Sequence, residues 1–238
     1  MSGSGVPMNP LLAKALARRK DLAEKFLSGD GIEIGALHEP LVVPPAARVR
    51  YVDRLPLEAL RDHYPELAGQ AFVNVDIIDD GETLATLPDA SLDFIIANHM
   101  LEHCENPLGA IRNHFRAVRR GGVLYYAVPD KRYSFDCDRP LTQRDHFVAD
   151  DRQGPAWSRR AHFDEWVRMV LKTTNPGQAA GEAERLMRQN YSIHFHVWDF
   201  DSFMEFVDLV RDCMPQVDFD WTHIELNVGE IVSVFTKR

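Results

Sequence analysis

The stretch SLDFIIANHMLEHCENPLGAIRNHFRAVRRGGVLYYAV (91–128) reads as one strand–helix–strand unit. SLDFIIANHM (91–100) and VLYYAV (123–128) are the strands. Between them Leu108, Ile111, Phe115 and Val118 recur at helical spacing, with Pro107 at the start of the run and Gly121 just beyond its end. Strands joined by a helix run parallel, and strands this apolar need cover on both faces.

The pattern extends outward in both directions. Upstream, GIEIGAL (31–37), RVRYVD (48–53) and AFVNVDII (71–78) read as three further strands, with PLEALRDHYPEL helical after the second. An amphipathic helix is expected from about Leu11 to Leu27, carrying Leu12, Leu16, Ala23, Phe26 and Leu27 on one stripe and ended by Gly29 or Gly31. Downstream, a basic and aromatic loop (PDKRYSFDCDRPL), a helix with Phe163, Trp166, Val167 and Val170 on one face, and a polar stretch around NPGQAAGEAER break the rhythm. Alternation resumes at IHFHVW (193–198). A helix follows, with Ser202 and Glu205 spaced as a capping box and Phe203, Phe206, Val207 and Val210 facing the core. VDFDWTHIEL and EIVSVFTKR, joined by a turn at Asn227–Gly229, must be antiparallel. The fold class is α/β: a mostly parallel sheet ending in an antiparallel hairpin. The expected division is a tail and helix at 1–29, a core at 30–130 and 195–238, and an inserted cap at 131–194.

Composition agrees with a globular domain. Of 238 residues, 45% are apolar and 26% charged, which excludes a disordered chain, a coiled coil and a disulfide-stapled miniature. A net charge of −9 disfavours nucleic-acid binding in general, because such a surface repels phosphate backbones. Cys104, Cys137 and Cys213 show no CxxC spacing and read as reduced thiols. The glycine- and serine-rich start has no signal-peptide pattern, and no run approaches the roughly 18 apolar residues of a membrane span. A cytoplasmic protein without membrane partners is expected; its oligomeric state is left open.

In an open α/β sheet, ligands bind beyond the carboxyl ends of the strands. The candidates are therefore Glu33 and Gly35, then Asp53, then Asp79 and Asp80, then Asn98 and His99. Asp53, ending the second strand, is placed to accept hydrogen bonds from a ribose diol.

GIEIGAL, YVDR, DIIDDGETL, LDFIIANHMLEH and RRGGVLYYAVPD, in this order, resemble the successive motifs of class I S-adenosylmethionine-dependent methyltransferases. The variety is the one with an EH pair after the fourth strand and a GG turn before the fifth. The resemblance covers residues 30–130 and the closing helix and hairpin. It implies a Rossmann-like seven-stranded sheet, S-adenosyl-L-methionine as cofactor and a methyl-transfer activity. It also implies that Glu33 and Gly35 meet the methionine part of the cofactor and that Asp53 meets the ribose. Asp80, with Asp79 as substitute, would meet the adenine amino group, and Asn98 and His99 would lie beside the methyl group.

One departure stands out. Where the family carries more glycine in the first loop, this chain has Ala36, Leu37 and His38, and a residue forced to positive φ there is strained. The same loop lacks the GxGxxG that a nicotinamide dehydrogenase needs. The altered loop also keeps a second reading in view: a fold relative that senses the cofactor or binds a partner without catalysis. An aminopropyl transferase would need an acidic pair for a polyamine, which the sequence does not offer.

Three histidines are candidate bases, should the acceptor have to lose a proton: His103, His194 and His196. His194 and His196 could also ligate a metal with Asp199, but two histidines are weak evidence and no metal site is expected. His146 and His162 lie in the cap and could line the same cleft. Lys131, Arg132 and Tyr133, at the end of the fifth strand, are the candidate substrate-binding residues and point to a carboxylate or phosphate on the acceptor. Trp157, Trp166 and Trp198 read as core rather than as a substrate platform, and Cys104 has no motif of a nucleophile. The expectation is in-line methyl transfer to a small polar metabolite or glycan.

Overall fold

A computed structural model describes residues 10–238; the glycine- and serine-rich start falls at 1–9, outside the described residues. Seven strands form one sheet: β1 (Gly29–Ile34), β2 (Ala47–Asp53), β3 (Ile77–Ile78), β4 (Leu92–Asn98), β5 (Val118–Pro129), β6 (Phe219–Asn227) and β7 (Glu230–Lys237). Their order is β3-β2-β1-β4-β5-β7-β6. The first five are parallel; β7 runs antiparallel between β5 and β6. Val228 and Gly229, both at positive φ (44° and 93°), make the tight turn of the closing hairpin.

Side chains alternate across the sheet and so build two cores. Ile95, Ala97, Leu124, Tyr126, Ile231 and Phe235 pack on one face beneath α3 (Pro107–Ala117) and α7 (Phe200–Cys213). Phe94, Ile96, Tyr125, Ala127, Val232 and Val234 pack on the other, where Leu22 and Ala23 of α1 (Pro10–Phe26) cover them. Each fully buried Leu, Ile or Phe contributes about 1.5–3 kcal/mol, so the two layers hold the central strands rigidly. α2 (Leu57–His63) is a short crossover. Between β5 and α7 the chain forms α4 (Arg144–Gln153), α5 (Arg159–Met169) and α6 (Pro176–Arg188). α5 and α6 make a third core from Phe163, Val167, Ala183 and Leu186, while Phe147 of α4 stacks on Trp198 in the main core. Among the described residues, no helix is long and apolar enough to cross a membrane.

Four local expectations are corrected. Only Ile77–Ile78 of the 71–78 run pairs in the sheet, because Asp76 takes the neighbouring Tyr51 N–H with its side chain. The 193–198 run is no strand: both edges of β5 are already occupied, by β4 and β7, so this segment makes one bridge, Trp198 to Asp130. Val118 belongs to β5 rather than to α3, and a bulge between Leu92 and Phe94 absorbs the Arg119–Gly122 turn. The polar stretch around Pro176, assigned no element from its pattern, is helical, its start capped by the Asn175 side chain on the Gln178 N–H.

The capping box of α7 is likewise one turn earlier than expected. Asp199 accepts from the Ser202 N–H (2.9 Å) and Ser202 Oγ from the Asp199 N–H (2.9 Å). Replacing Asp199 by alanine should cost about 1 kcal/mol in urea unfolding, whereas Glu205→Ala, at an exposed position, should stay within about 0.5 kcal/mol of the parent.

Candidate active site

The crossovers from β1 and β4 leave the sheet in opposite directions, and a cleft of about 480 Å³ opens at their carboxyl ends. Gly35 and Leu37 reach it from β1, Asp53 and Arg54 from β2, Asp80, Gly81 and Glu82 from beyond β3, and His99, Met100 and His103 from β4. Tyr191, Ser192 and His194 close it from the inserted segment.

The glycine-poor first loop keeps the left-handed backbone and places it on other residues. Gly35 has φ 66° with nothing within 4 Å of where a Cβ would stand, so its backbone faces open space. Leu37 adopts φ 48°, a conformation costing a non-glycine residue about 1–2 kcal/mol. Glu33 supports the loop from behind. Buried to 1% exposure, it accepts the Leu41 N–H with both oxygens (3.0 and 3.1 Å) and does not line the cleft. Burial pushes its carboxyl up to about 7, opposed by Leu41 and the Arg19 charge.

The two neighbouring acids after β3 divide their tasks. Asp79 is consumed by its own turn, accepting from the Asp80, Ala85 and Thr86 N–H groups and from Thr86 Oγ1, and it lies outside the cleft lining. Asp80 lines the cleft; its Oδ1 caps the Glu82 and Thr83 N–H groups. Gly81 is wedged where a Cβ would come within 2.6 Å of Ile34 and 2.8 Å of Met100. Buried His114 of α3, bonded to the Tyr126 hydroxyl, holds the Gly81 carbonyl at 2.8 Å. Glu82, absent from the expected set, accepts from the Glu105 and Asn106 N–H groups, and burial raises its carboxyl to about 7. Asp53 is half-buried in the cleft wall, and desolvation raises its pKa against hydrogen bonds from the Arg54 and Leu55 backbone.

At the end of β4 the structure concentrates charge. His99, at φ 50°, faces Glu102 Oε1 with Nδ1 (3.3 Å) and Glu230 Oε2 with Nε2 (2.9 Å). Burial works against its charge, but the two carboxylates outweigh it and raise the imidazole to about 9. Arg19 of α1 forms a two-pronged pair with Glu230; desolvation is outweighed there too, by Arg19 and His99, and Glu230 falls to about 2. Two cations and two anions thus close the floor without net charge. Asn98, beside them, keeps its amide nitrogen and oxygen buried without hydrogen-bond partners, although it is not in the cleft lining.

The inserted segment supplies the far wall. His194 Nδ1 lies 2.6 Å from Asp136 Oδ2, and Asp136 Oδ1 accepts from Arg139 at 2.7 Å. Burial opposes its ionisation, yet His194 and Arg139 hold the Asp136 carboxyl below its usual range. An ionised carboxylate only accepts, so a proton sits on Nδ1 of His194. His103 donates Nδ1–H to the Ile193 carbonyl (2.9 Å), and burial pushes it down to about 4. Phe135 and Trp166 complete this wall; Trp166, read from sequence as core, is buried yet lines the cleft with its indole N–H unpartnered.

Other expected residues lie elsewhere. His196 is buried away from the cleft, with His146 and His162. Lys131 bonds the Arg139 carbonyl, and Arg132 neutralises fully buried Asp130 (2.5 and 2.9 Å). Tyr133 lines a separate depression beside Arg19 and Glu230. The basic cluster is therefore not in the cleft: the buried Asp130 carboxylate claims its guanidinium. Asp136 was missed because its partner stands 58 residues away.

The fold is a Rossmann-like α/β sheet with one cleft at its strand ends, walled on the far side by the inserted segment. The family model described as a methyltransferase domain matches residues 29–126. Residues 29–126 are thus a methyltransferase domain of the class I S-adenosylmethionine-dependent kind, and S-adenosylmethionine is the cofactor it implies. No curated protein sequence matches it. Among solved structures it is similar to a Rhodobacter sphaeroides protein described as a candidate Zn-dependent alcohol dehydrogenase (TM-score 0.55, 16% identity, covering 93% of this chain and 89% of that one). It is also similar to the PH0226 protein of Pyrococcus horikoshii (0.53, 13%, 97% and 93%). A third is a SAM-dependent methyltransferase of Aquifex aeolicus (0.49, 12%, 96% and 93%). At these identities the first two likenesses are of fold alone, and nothing is argued from the third.

Because His99 is raised from 6.5 to about 9 on folding, its contribution is complete below pH 6.5 and is lost as pH rises through 9. Urea midpoints measured from pH 6 to 10 should fall across that window for the parent, and His99→Gln should flatten that part of the curve. An equal slope in the variant would remove the imidazolium from the floor of the cleft.

Proposed function

We propose that the protein methylates a small polar acceptor, a metabolite or glycan hydroxyl, held between the nucleotide rim and the histidine-bearing wall. The carrying observation is that one cleft collects Asp53 and Asp80 on one side and His194, oriented by Asp136, on the other. The residues fit the cofactor: Asp53 would accept from the ribose diol, Asp80 and the Gly81 backbone would meet the adenine, and Gly35 would admit the methionine part closely. The unpartnered Asn98 amide would be available at the same strand end.

When bound, the cofactor supplies an electrophilic methyl on a cationic sulfonium. The protein's tasks are alignment, water exclusion and proton removal. In transfer to a hydroxyl, His194 Nε2 would take the proton that the acceptor oxygen loses. Asp136 keeps the imidazole in the tautomer that can receive it. His103, pushed down to about 4, is the poorer base near neutral pH. His196 has no access to the acceptor.

The lining favours a neutral acceptor over an anionic one. Five carboxyl side chains, Asp53, Glu66, Asp80, Glu82 and Glu105, outnumber two cations, Arg54 and the His99 imidazolium. Such a cleft repels phosphate and carboxylate and attracts a sulfonium. Phe135 and Trp166 offer an apolar platform with one free N–H donor, which suits a ring bearing hydroxyls.

Calorimetry with S-adenosylhomocysteine tests the rim. Asp53→Ala should weaken binding about tenfold, the loss of a hydrogen bond to a charged group; an unchanged affinity would take Asp53 out of the site. The wall is tested by turnover on a panel of hydroxyl acceptors. His194→Ala should leave S-adenosylhomocysteine affinity intact while lowering kcat by about 100-fold or more. Loss of both together would count against the assigned division.

A further inference from the structure

Away from the cofactor rim, four side chains converge inside the inserted segment. His146 and Asp150 stand one helical turn apart on α4, His162 lies on α5, and His196 lies on the chain returning to the core. His146 Nε2 is 2.9 Å from His162 Nε2 and 3.3 Å from Asp150 Oδ2; His196 Nε2 is 3.6 Å from the same oxygen. All four candidate donor atoms lie within 4.8 Å of one another.

Hydrogen bonding alone serves this arrangement badly. Asp150 and His196 are fully buried, yet Asp150 Oδ2, which both His146 Nε2 and His196 Nε2 face, has no hydrogen-bond partner. Two imidazole nitrogens face each other at hydrogen-bond distance, so one proton at most lies between them. Unmet buried polar atoms are costly and rare. The second carboxylate oxygen is, by contrast, fixed: Asp150 Oδ1 accepts from Ser158 Oγ at 2.9 Å, which turns Oδ2 toward the histidines.

We infer that His146, Asp150, His162 and His196 form a closed, four-coordinate zinc site that pins α4 and α5 to the wall of the cleft. Zinc bound at ordinary nitrogen and oxygen distances in a tetrahedron separates its ligands by about 3.3–3.5 Å; the observed 2.9, 3.3 and 3.6 Å straddle that edge. Three imidazoles with one carboxylate and no sulfur select zinc over the hard cations calcium and magnesium. With four protein donors no position is left for substrate, so the role is structural. The mechanical link is short. The Phe195 and His196 N–H groups bond the Glu102 carbonyl, and His194 stands two residues before His196. An ion at His196 would therefore hold the base-bearing strip against the cleft rim.

The site is independent of the methyl-transfer assignment, and its test reads metal alone. Full-length protein, purified without a metal-affinity tag and offered zinc, should carry about one equivalent per chain by plasma mass spectrometry. Cobalt substituted for zinc should show the intense visible absorption of tetrahedral coordination. His146→Ala and Asp150→Asn should each weaken zinc binding by at least about tenfold, whereas His103→Ala, which breaks the separate Glu102–His103–His194 cluster, should retain it. Folded parent protein that takes up neither metal, or that binds cobalt octahedrally, would overturn the proposal even if the variants fail to fold. So would variants at His146 and Asp150 that bind zinc as tightly as the parent.

Discussion

Two parallel strands at the middle of the sheet, β1 and β4, send the chain away in opposite directions, and everything functional here follows from the gap they leave. A parallel sheet covered on both faces has no free surface for a ligand. Its strand ends are the one rim where backbone and polar side chains meet space. Gly35 and His99 stand on either side of that gap, both with left-handed backbone, because the chain must turn sharply off each strand. The strain at His99 is held by charge: Glu102, Glu230 and Arg19 enclose its ring and tie the rim to α1 and to the closing hairpin.

The rim illustrates how burial sorts acids of the same type. Glu33, Asp79 and Glu102 are buried and are engaged beneath the surface, supporting a loop, a turn and an imidazole. Asp53, at the end of β2, and Asp80, next to Asp79, instead face the cleft. The distinction is geometric. In an extended chain neighbouring side chains point to opposite faces, and in a turn one acid caps the backbone while its neighbour is left free. Around them α3 acts as a brace: His114 fixes the Gly81 carbonyl, and Arg116 fixes the Leu84 and Leu87 carbonyls, so the segment after β3 has little freedom despite its lack of regular structure.

The inserted segment brings chemistry of another kind. Its aromatic and histidine side chains interlock from Phe135 through His194 to Trp166, and from His146 through His196 to Trp198. Arg139, fully buried, braces the first of these groups by pairing with Asp136 and Glu165 while lying over Trp166. Removing one member of such a network would leave a buried charge or donor unpaired. The wall that the inserted segment gives the cleft is thus firm.

The sequence by itself determined the α/β class, the five parallel strands with their closing hairpin, and the strand-end residues Gly35, Asp53, Asp80 and His99, which line the cleft. These are properties of local period and of position at a strand end, and both are written within a few residues. Only the tertiary structure decided that the 193–198 run stays out of the sheet, since β7 occupies the edge it would need. It also decided that Arg132 turns inward to Asp130 instead of toward an acceptor, and that His194 and His196, two residues apart, serve different neighbourhoods. Pairing with a partner such as Asp136 depends on distance in space. Nothing in residue spacing along the chain encodes that distance before the insertion has folded back on the core.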